Sequence, residues 1–414
     1  MKQLLRFSAL LVFVFLFVLI LIFIFTSDKE TVPDAPSQHV QRTPGQELKA
    51  LWVPYLSLAL GEENRSEKGF QAHFDAIVKQ ADAYGFNALI VHVRSHSDAL
   101  YPTDLYPWSH LLTGTQGQNP GYDPLDYMIK ATHKAGLAFH AWVNPLRIQR
   151  GTTPEQLSAD NPYIRWTTDT LTENDRWAVQ ISEGTYFNPA SPQARAHIID
   201  GVREIVARYD VDGVHFDDYF YPVPPEALNT FDQTEYDAYC KEVSRKAPPL
   251  TLLEWRTANI NTLVSGVYSA IKSIKPAVVF GISPAANLDN NRQMGADVKT
   301  WGGSGGYVDY LCPQVYFSFA HQTYPFADTA AQWKKIVTSP NVSLYIGLGL
   351  YKAGETDEND PEWAQSGDII ARQIAYGRET LSWDGFMVYA YAQLSAPASK
   401  QEREHMKREM ARMS

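Results

Sequence analysis

A (β/α)8 barrel is the fold this sequence predicts, and three observations predict it. About eight short apolar runs, separated by helical stretches, fill roughly 360 residues, the usual scale of such barrels. The first run, inside WVPYLSLALG, lacks the G-x-G-x-x-G loop expected of an open doubly wound sheet. Polar and aromatic residues gather where the runs end, and in a barrel those ends share one mouth.

The chain begins with Lys2 and Arg6, followed by an apolar run from Phe7 to Phe25 that only Ser8 interrupts. About 18 to 20 such residues span a bilayer, and the core of a cleavable signal is usually shorter. The basic flank stays in the cytoplasm. The expected organisation is therefore a cytoplasmic stub (1–6), a transmembrane signal anchor (7–25), a polar tether (26–47) and an extracytoplasmic barrel (48–414). A cleaved signal is the alternative, and it exports the domain equally.

Ala50–Tyr55 reads as the first strand. The stretch Lys68–Tyr84 follows with apolar residues at helical spacing, and Gly85 ends it. Ala88–Val93 is the second strand, Pro124–Lys134 a helix closed by Gly136, and Leu137–Val143 the third strand. After a long insertion, the helix Gln193–Tyr209 leads into the fourth strand within Val211–Pro222 (VDGVHFDDYFYP). Helix Trp255–Ile274 precedes strand five, Val278–Ser283, and Tyr310–Tyr316 is strand six, its ladder weakened by Pro313. Helix Ala327–Val337, strand seven (Ser343–Leu350), helix Asp368–Arg378, strand eight (Gly385–Tyr391) and an amphipathic helix Lys400–Met413 complete the chain.

A formal charge of -10 without a basic run argues against nucleic acid as a partner. Aromatic residues make up 13% of the chain, which suits stacking on sugar rings, although aromatics also fill cores. The two cysteines, Cys240 and Cys312, exclude a cysteine-built metal site, and nothing in the pattern supports a disulfide between them.

Side chains on the fourth strand repeat with period two, so His215, Asp217 and Tyr219 share the face opposite Val214 and Phe216. Asp218 falls out of phase at the strand's end. A lone Asp-Asp is as well read as a helix cap. Neighbouring strand ends argue for more: Arg94 and Asp98 follow strand two, and Trp142, Asn144 and Arg147 end strand three. Ser283 and Asn287 end strand five, Gln314 and Tyr316 strand six, and Tyr389 and Tyr391 strand eight. Each has a plainer reading. Either arginine can pair with Asp98 or Asp217 as a structural ion pair, Asn144-Pro145 can be a turn, and Trp142, Tyr316 and Tyr391 can be core.

Glycoside hydrolysis needs one carboxyl kept protonated beside the leaving oxygen and a second group across the bond. Asp217, next to Asp218 and aromatics, has two reasons for a raised pKa, like charge and desolvation. The second carboxyl is open between Asp218 and Asp98, with Asp289 a further candidate, because strand seven ends without an acid before Glu355. His92, His96 and His140 invite a metal. The first strand has no His-x-His, however, and the last four strands have no histidine, so neither metal nor other cofactor is expected. No G-x-S-x-G elbow offers a serine nucleophile.

In order along the chain, HVRSHSDALYPT, HAWVNPLR, DGVHFDDYFYP, FGISPAAN with DVKTW, YVDYLCPQVYF and the Gly347-Leu-Gly349 strand resemble the glycosyl hydrolase-like 10 family. The match runs from Leu48 to about Leu394. It implies a (β/α)8 barrel, an exported enzyme of bacterial envelopes, and cleavage of peptidoglycan glycan strands stripped of peptides. The matched positions are Arg94, Asp98, Asn144, Arg147, His215, Asp217, Asp218, Gln314 and Tyr316. Ser95-His96, Leu146 and Ala285-Ala286-Asn287 depart from the family's usual residues. The fourth strand also resembles chitinase-type barrels, but Tyr219 stands at their catalytic glutamate, so their substrate-assisted mechanism is not implied.

The expectation is a membrane-anchored glycoside hydrolase acting outside the cytoplasm on an envelope polysaccharide. Asp217 is its principal carboxyl, and Asp218 and Asp98 support it. Arg94, Asn144 and Arg147 bind and tune, and Trp142, Tyr219, Tyr316 and Tyr391 line the sugar groove. His215, Asn287 and Gln314 complete the substrate contacts. Two alternatives stay open: a wall-glycan-binding protein without catalysis, and a transglycosylase.

Overall fold

A computed structural model describes residues 46–222, 230–245 and 247–412. The stub, the apolar run and nearly all of the tether lie outside them. Within the described residues no helix is long and apolar enough to cross a membrane.

In chain order the strands are β1 (Leu48–Val53), β2 (Ala88–Arg94), β3 (Ala138–Val143), β4 (Arg147–Arg150), β5 (Ala178–Ile181), β6 (Gly184–Phe187), β7 (Gly213–Phe216), β8 (Val279–Ile282), β9 (Tyr310–Leu311), β10 (Ser343–Leu348) and β11 (Gly385–Val388). All but β4, β5 and β6 are parallel and close into one barrel, with β11 pairing back onto β1. These are the eight strands the sequence predicts. The insertion after β3 holds the other three as a small antiparallel sheet in the order β4-β6-β5, for which the sequence shows no strand pattern of its own.

Strand β9 is shorter than expected. Pro313 has no N–H to continue the ladder, and beyond Leu311 only single bridges from Gln314 to Ala285 and Gly347 hold the run in place. Helices Glu67–Tyr84, Pro124–Lys134, Pro192–Arg208, Leu252–Ile274, Phe326–Ile336 and Ile369–Tyr376 cover the barrel between strands. Their starts are capped by side chains where the sequence supplies them: Ser66 accepts from Gly69, and Thr251 with Glu254 forms a capping box.

Period two sorts each strand into two cores. Leu51, Val53, Leu89, Val91, Phe139, Ala141, Val214 and Phe216 face the helices. Ala50, Trp52, Ala88, Ile90, Trp142, Tyr310 and Met387 fill the barrel itself. Large rings fit there because glycines stand beside them. A Cβ on Gly281 would lie 2.0 Å from the Tyr310 ring, and one on Gly213 would lie 2.6 Å from His140. Both cysteines are free, Cys312 inside the barrel and Cys240 within the helix Gln233–Val243.

Candidate active site

At the C-terminal mouth of the barrel a cleft of about 170 Å³ is lined by Trp52, Trp142, Asp217, Asp218, Tyr219, Ser283, Gln314, Tyr316, Tyr351 and Tyr389. Sites that enclose a drug-sized ligand run to about 300–1,000 Å³. This one suits a single ring of a longer chain.

Asp217 is 3% exposed. Trp142 Nε1 donates to its Oδ2 at 3.1 Å, and Asn144 Nδ2 lies 3.2 and 3.1 Å from its two oxygens. Asn144 is itself fixed, because its Oδ1 accepts from the Arg147 backbone N–H at 2.9 Å. Burial pushes the Asp217 carboxyl up to about 7. Arg147 pulls it back, Asp218 adds to the rise, and the Trp142 hydrogen bond opposes it. Burial also raises Asp218, against a hydrogen bond from Gln314. Gln314 Nε2 in turn donates to the Ser283 carbonyl at 3.0 Å and to its hydroxyl at 3.2 Å. With its pKa near 7, the Asp217 carboxyl is protonated in an appreciable fraction of molecules near neutral pH.

Beneath the cleft runs a chain of buried hydrogen bonds. Trp52 Nε1 donates to His215 Nε2 at 3.2 Å, so the His215 proton sits on Nδ1, which donates to the Tyr310 hydroxyl at 2.9 Å. The same hydroxyl lies 3.2 Å from His140 Nδ1. Burial holds His215 well below the usual histidine range, in agreement with a neutral ring. This wiring stiffens the wall behind Asp217.

The family model described as Glycosyl hydrolase-like 10 matches residues 49–365. The chain belongs to that family. It is 33% identical over 372 residues to "Glycosyl hydrolase YngK" of Bacillus subtilis (strain 168), covering 84% of this chain and 69% of that protein. It is 31% identical over 370 residues to "Glycosyl hydrolase DigH" of Escherichia coli (strain K12), covering 84% of this chain and 82% of that one. Among solved structures, the β-galactosidase from the psychrophilic Marinomonas ef1 superposes with a TM-score of 0.53 at 8% identity, over 87% of this chain and 59% of that longer one. The last likeness is one of fold.

In this glycosyl hydrolase-like 10 barrel, Asp217, Asp218, Trp142, Tyr219, Gln314 and Tyr316 all line the cleft, as their strand-end positions predict. Seven other expected residues do not: Asn144 and Arg147 stand just behind the lining, and Arg94, Asp98, His215, Asn287 and Tyr391 lie elsewhere. Arg94 is turned away by a β-bulge: His92 pairs with Trp142 but Arg94 pairs with Val143, so the extra residue, Val93, reverses the side on which Arg94 emerges. Its guanidinium lies 4.3 Å over the Tyr106 ring, packed against Gly201 of the covering helix. Asp98 is buried outside the cleft, its Oδ2 3.1 Å from His110 Nδ1 and 3.4 Å from Gln116 Nε2. His215 belongs to the chain below and is 0% exposed.

Asn287 caps the helix Leu288–Gln293 and donates to the Tyr324 hydroxyl at 2.7 Å. It lines a separate cavity of about 470 Å³. Tyr391 begins a turn past β11 and packs on the outer core, while Tyr389, two residues earlier, lines the cleft. Trp52 and Tyr351 were not singled out from sequence. Trp52 had a usable signal, the inward phase it shares with Ala50 at the end of β1. Tyr351 follows β10 with no periodic cue. Arg147 stands beside the cleft behind Tyr219, 5.2 Å from that ring's centre. Among the described residues, no group of three His, Cys, Asp or Glu is placed to hold a metal ion.

Proposed function

We propose that this protein is a glycoside hydrolase acting outside the cytoplasm on an envelope polysaccharide, peptide-free peptidoglycan glycan strands being the first candidate. The observation that carries the reading is Asp217: a buried carboxyl beside an aromatic cleft, pushed up to about 7 and held by Trp142 and Asn144. A group so poised is protonated often enough near neutrality to protonate a leaving glycosidic oxygen. Asp218 is the other carboxyl of the cleft among the described residues. Its charge supports the oxocarbenium-like sugar, and it takes the proton of the attacking water. Tyr316, Tyr351 and Tyr389 present rings against which sugar faces pack. The family and the names of the two relatives support the reaction class. The apolar run at 7–25 supports an extracytoplasmic, membrane-anchored placement.

Glycan binding without cleavage has one observation in its favour: β10 delivers Tyr351 to the cleft and no acid. One experiment separates the two. Full-length protein and its Asp217→Asn variant are incubated with purified peptide-free glycan strands, and reducing ends are counted. Hydrolysis gives release by the wild type and none by the variant; co-sedimentation without release by either assigns binding alone. Longer products with an added acceptor identify transfer instead.

A further inference from the structure

Resting on the hydrolase reading above, we propose that Arg147 is a specificity-determining residue that receives a carboxylate carried by the bound sugar, so that the cleft selects acidic glycans. Arg147 is 4% exposed, and its Nε donates to the Ser95 carbonyl at 2.9 Å. The guanidinium sits between two tyrosine faces, 5.7 Å from the Tyr55 ring centre and 5.2 Å from that of Tyr219. Among the described residues, neither terminal nitrogen of Arg147 has a hydrogen bond or an ion pair. Unlike those of Arg94, they are not sealed from solvent. A guanidinium this deep without a direct ion-pair partner is costly.

Among the described residues no neighbour makes a direct ion pair with it; Asp217 and Asp218 feel its charge across the cleft wall without a hydrogen bond to it. His92 and His96 face Arg147 from β2 and the loop after it. Burial first, and then Arg147 itself, hold His92 well below its usual range and His96 at about 3, so both are neutral. Burial raises the Tyr186 and Tyr219 phenols, so neither offers a negative charge. Arg150, on the same strand, adds a second positive charge, felt by His96 and Tyr219. Asp98 is engaged by His110 and Gln116. Asp217 and Asp218 are the acids of the cleft, and burial raises both. The wall beside the proton donor is therefore positive and planar, with the fork geometry that matches a carboxylate.

Binding such a carboxylate has a consequence for Asp217. Arg147 is the main charge that draws the Asp217 proton off. A substrate carboxylate seated on Arg147 cancels that pull and brings its own negative charge, so Asp217 takes up a proton as the correct glycan binds. The substrate thereby charges the acid that cleaves it. Two kinds of sugar carry the required group: a lactyl ether on a wall glycan, or the ring carboxyl of a uronic acid.

The test is calorimetric titration of the full-length protein, on the wild type and on Arg147→Met and Arg147→Lys. The ligands are peptide-free wall-glycan oligosaccharides, the same oligosaccharides with carboxyls converted to methylamides, and a uronic-acid oligosaccharide. The wild type is expected to bind an acidic ligand at least ~10-fold more tightly than the methylamide. That ratio shrinks with salt, and proton uptake near pH 7.5 appears as a dependence on the buffer's ionisation heat. Preference for the wall glycan or for the uronic acid names the source. Arg147→Met brings the ratio close to one, and Arg147→Lys, which keeps charge but loses the fork, lowers it and serves alone if the Met variant does not fold. Equal wild-type affinity for acid and amide overturns the proposal, as does an undiminished ratio in the folded variants. A protein that shows the ratio but releases no reducing ends keeps the carboxylate site and loses the hydrolase reading, so the two failures are distinguishable.

Discussion

His92 lies flat on Trp142, with ring centroids 3.9 Å apart and planes 10° apart. A histidine in this place is a neutral plate, since burial and the nearby Arg147 hold it well below its usual range. Tyr55 meets it edge-on, 5.5 Å away at 80°. Aromatic pairs of this kind contribute about 0.5–1.5 kcal/mol beyond burial. Here the stack also has a direction: it fixes the indole so that its N–H points at Asp217 Oδ2.

Trp142→Phe keeps the flat ring and removes the N–H. The Asp217 anion loses a hydrogen bond, so its pKa rises, and a proton donor stays loaded to higher pH. The alkaline limb of the kcat/KM profile is expected to move up by about 1–2 pH units. His92→Ala, which frees the indole, moves it the same way by less. An unmoved limb in Trp142→Phe shows that this N–H does not tune Asp217.

Asp217 also leaves a mark on stability. Its folded pKa of about 7 lies above the ordinary aspartate value of 3.8, so between those values the folded protein holds the proton more tightly than the unfolded chain. Stability is then fullest below pH 4 and falls as pH rises towards 7, by at most ~4 kcal/mol. Asp217→Asn does not titrate there. Urea denaturation at pH 4.5 and 7.5 is expected to show the variant gaining on the wild type at the higher pH. Parallel behaviour at the two pH values contradicts the raised pKa.

Asp98 is expected to matter for folding and not for chemistry. Asp98→Ala leaves His110 and Gln116 without their acceptor and costs about 1–3 kcal/mol. Activity per folded molecule, measured as kcat/KM, stays within about twofold. A loss of about a hundredfold or more in correctly folded protein returns Asp98 to the catalytic set.

Inside the barrel the test is steric. Gly281→Ala drives a methyl group into the Tyr310 ring and disturbs the bonds from Tyr310 to His215 and His140. Overpacking of this sort costs about 1–3 kcal/mol or more, seen as a lower melting temperature by circular dichroism. A variant that melts with the wild type contradicts the tight fit of that ring.

The sequence by itself determined the barrel and placed an acid pair at its mouth. Eight buried strands have to be apolar and short, and a carboxylate pair at the end of one of them has few structural uses. That reasoning placed Asp217, Asp218, Trp142, Gln314 and Tyr316 at one mouth, where the structure has them. It put Arg94 at the mouth because it follows strand two, and the bulge at Val93 turned that side chain outward. It grouped Asp98, Asn287 and Tyr391 with the site because they follow strand ends, yet each is claimed by a local partner or by the outer core. Which loop side chains turn inward was decided by tertiary packing, which also brought in Trp52 and Tyr351 and chose Tyr389 over Tyr391. The physical reason is that alternation is a property of a paired strand, and past its last hydrogen bond, or across a bulge, only contacts with distant segments set where a side chain points.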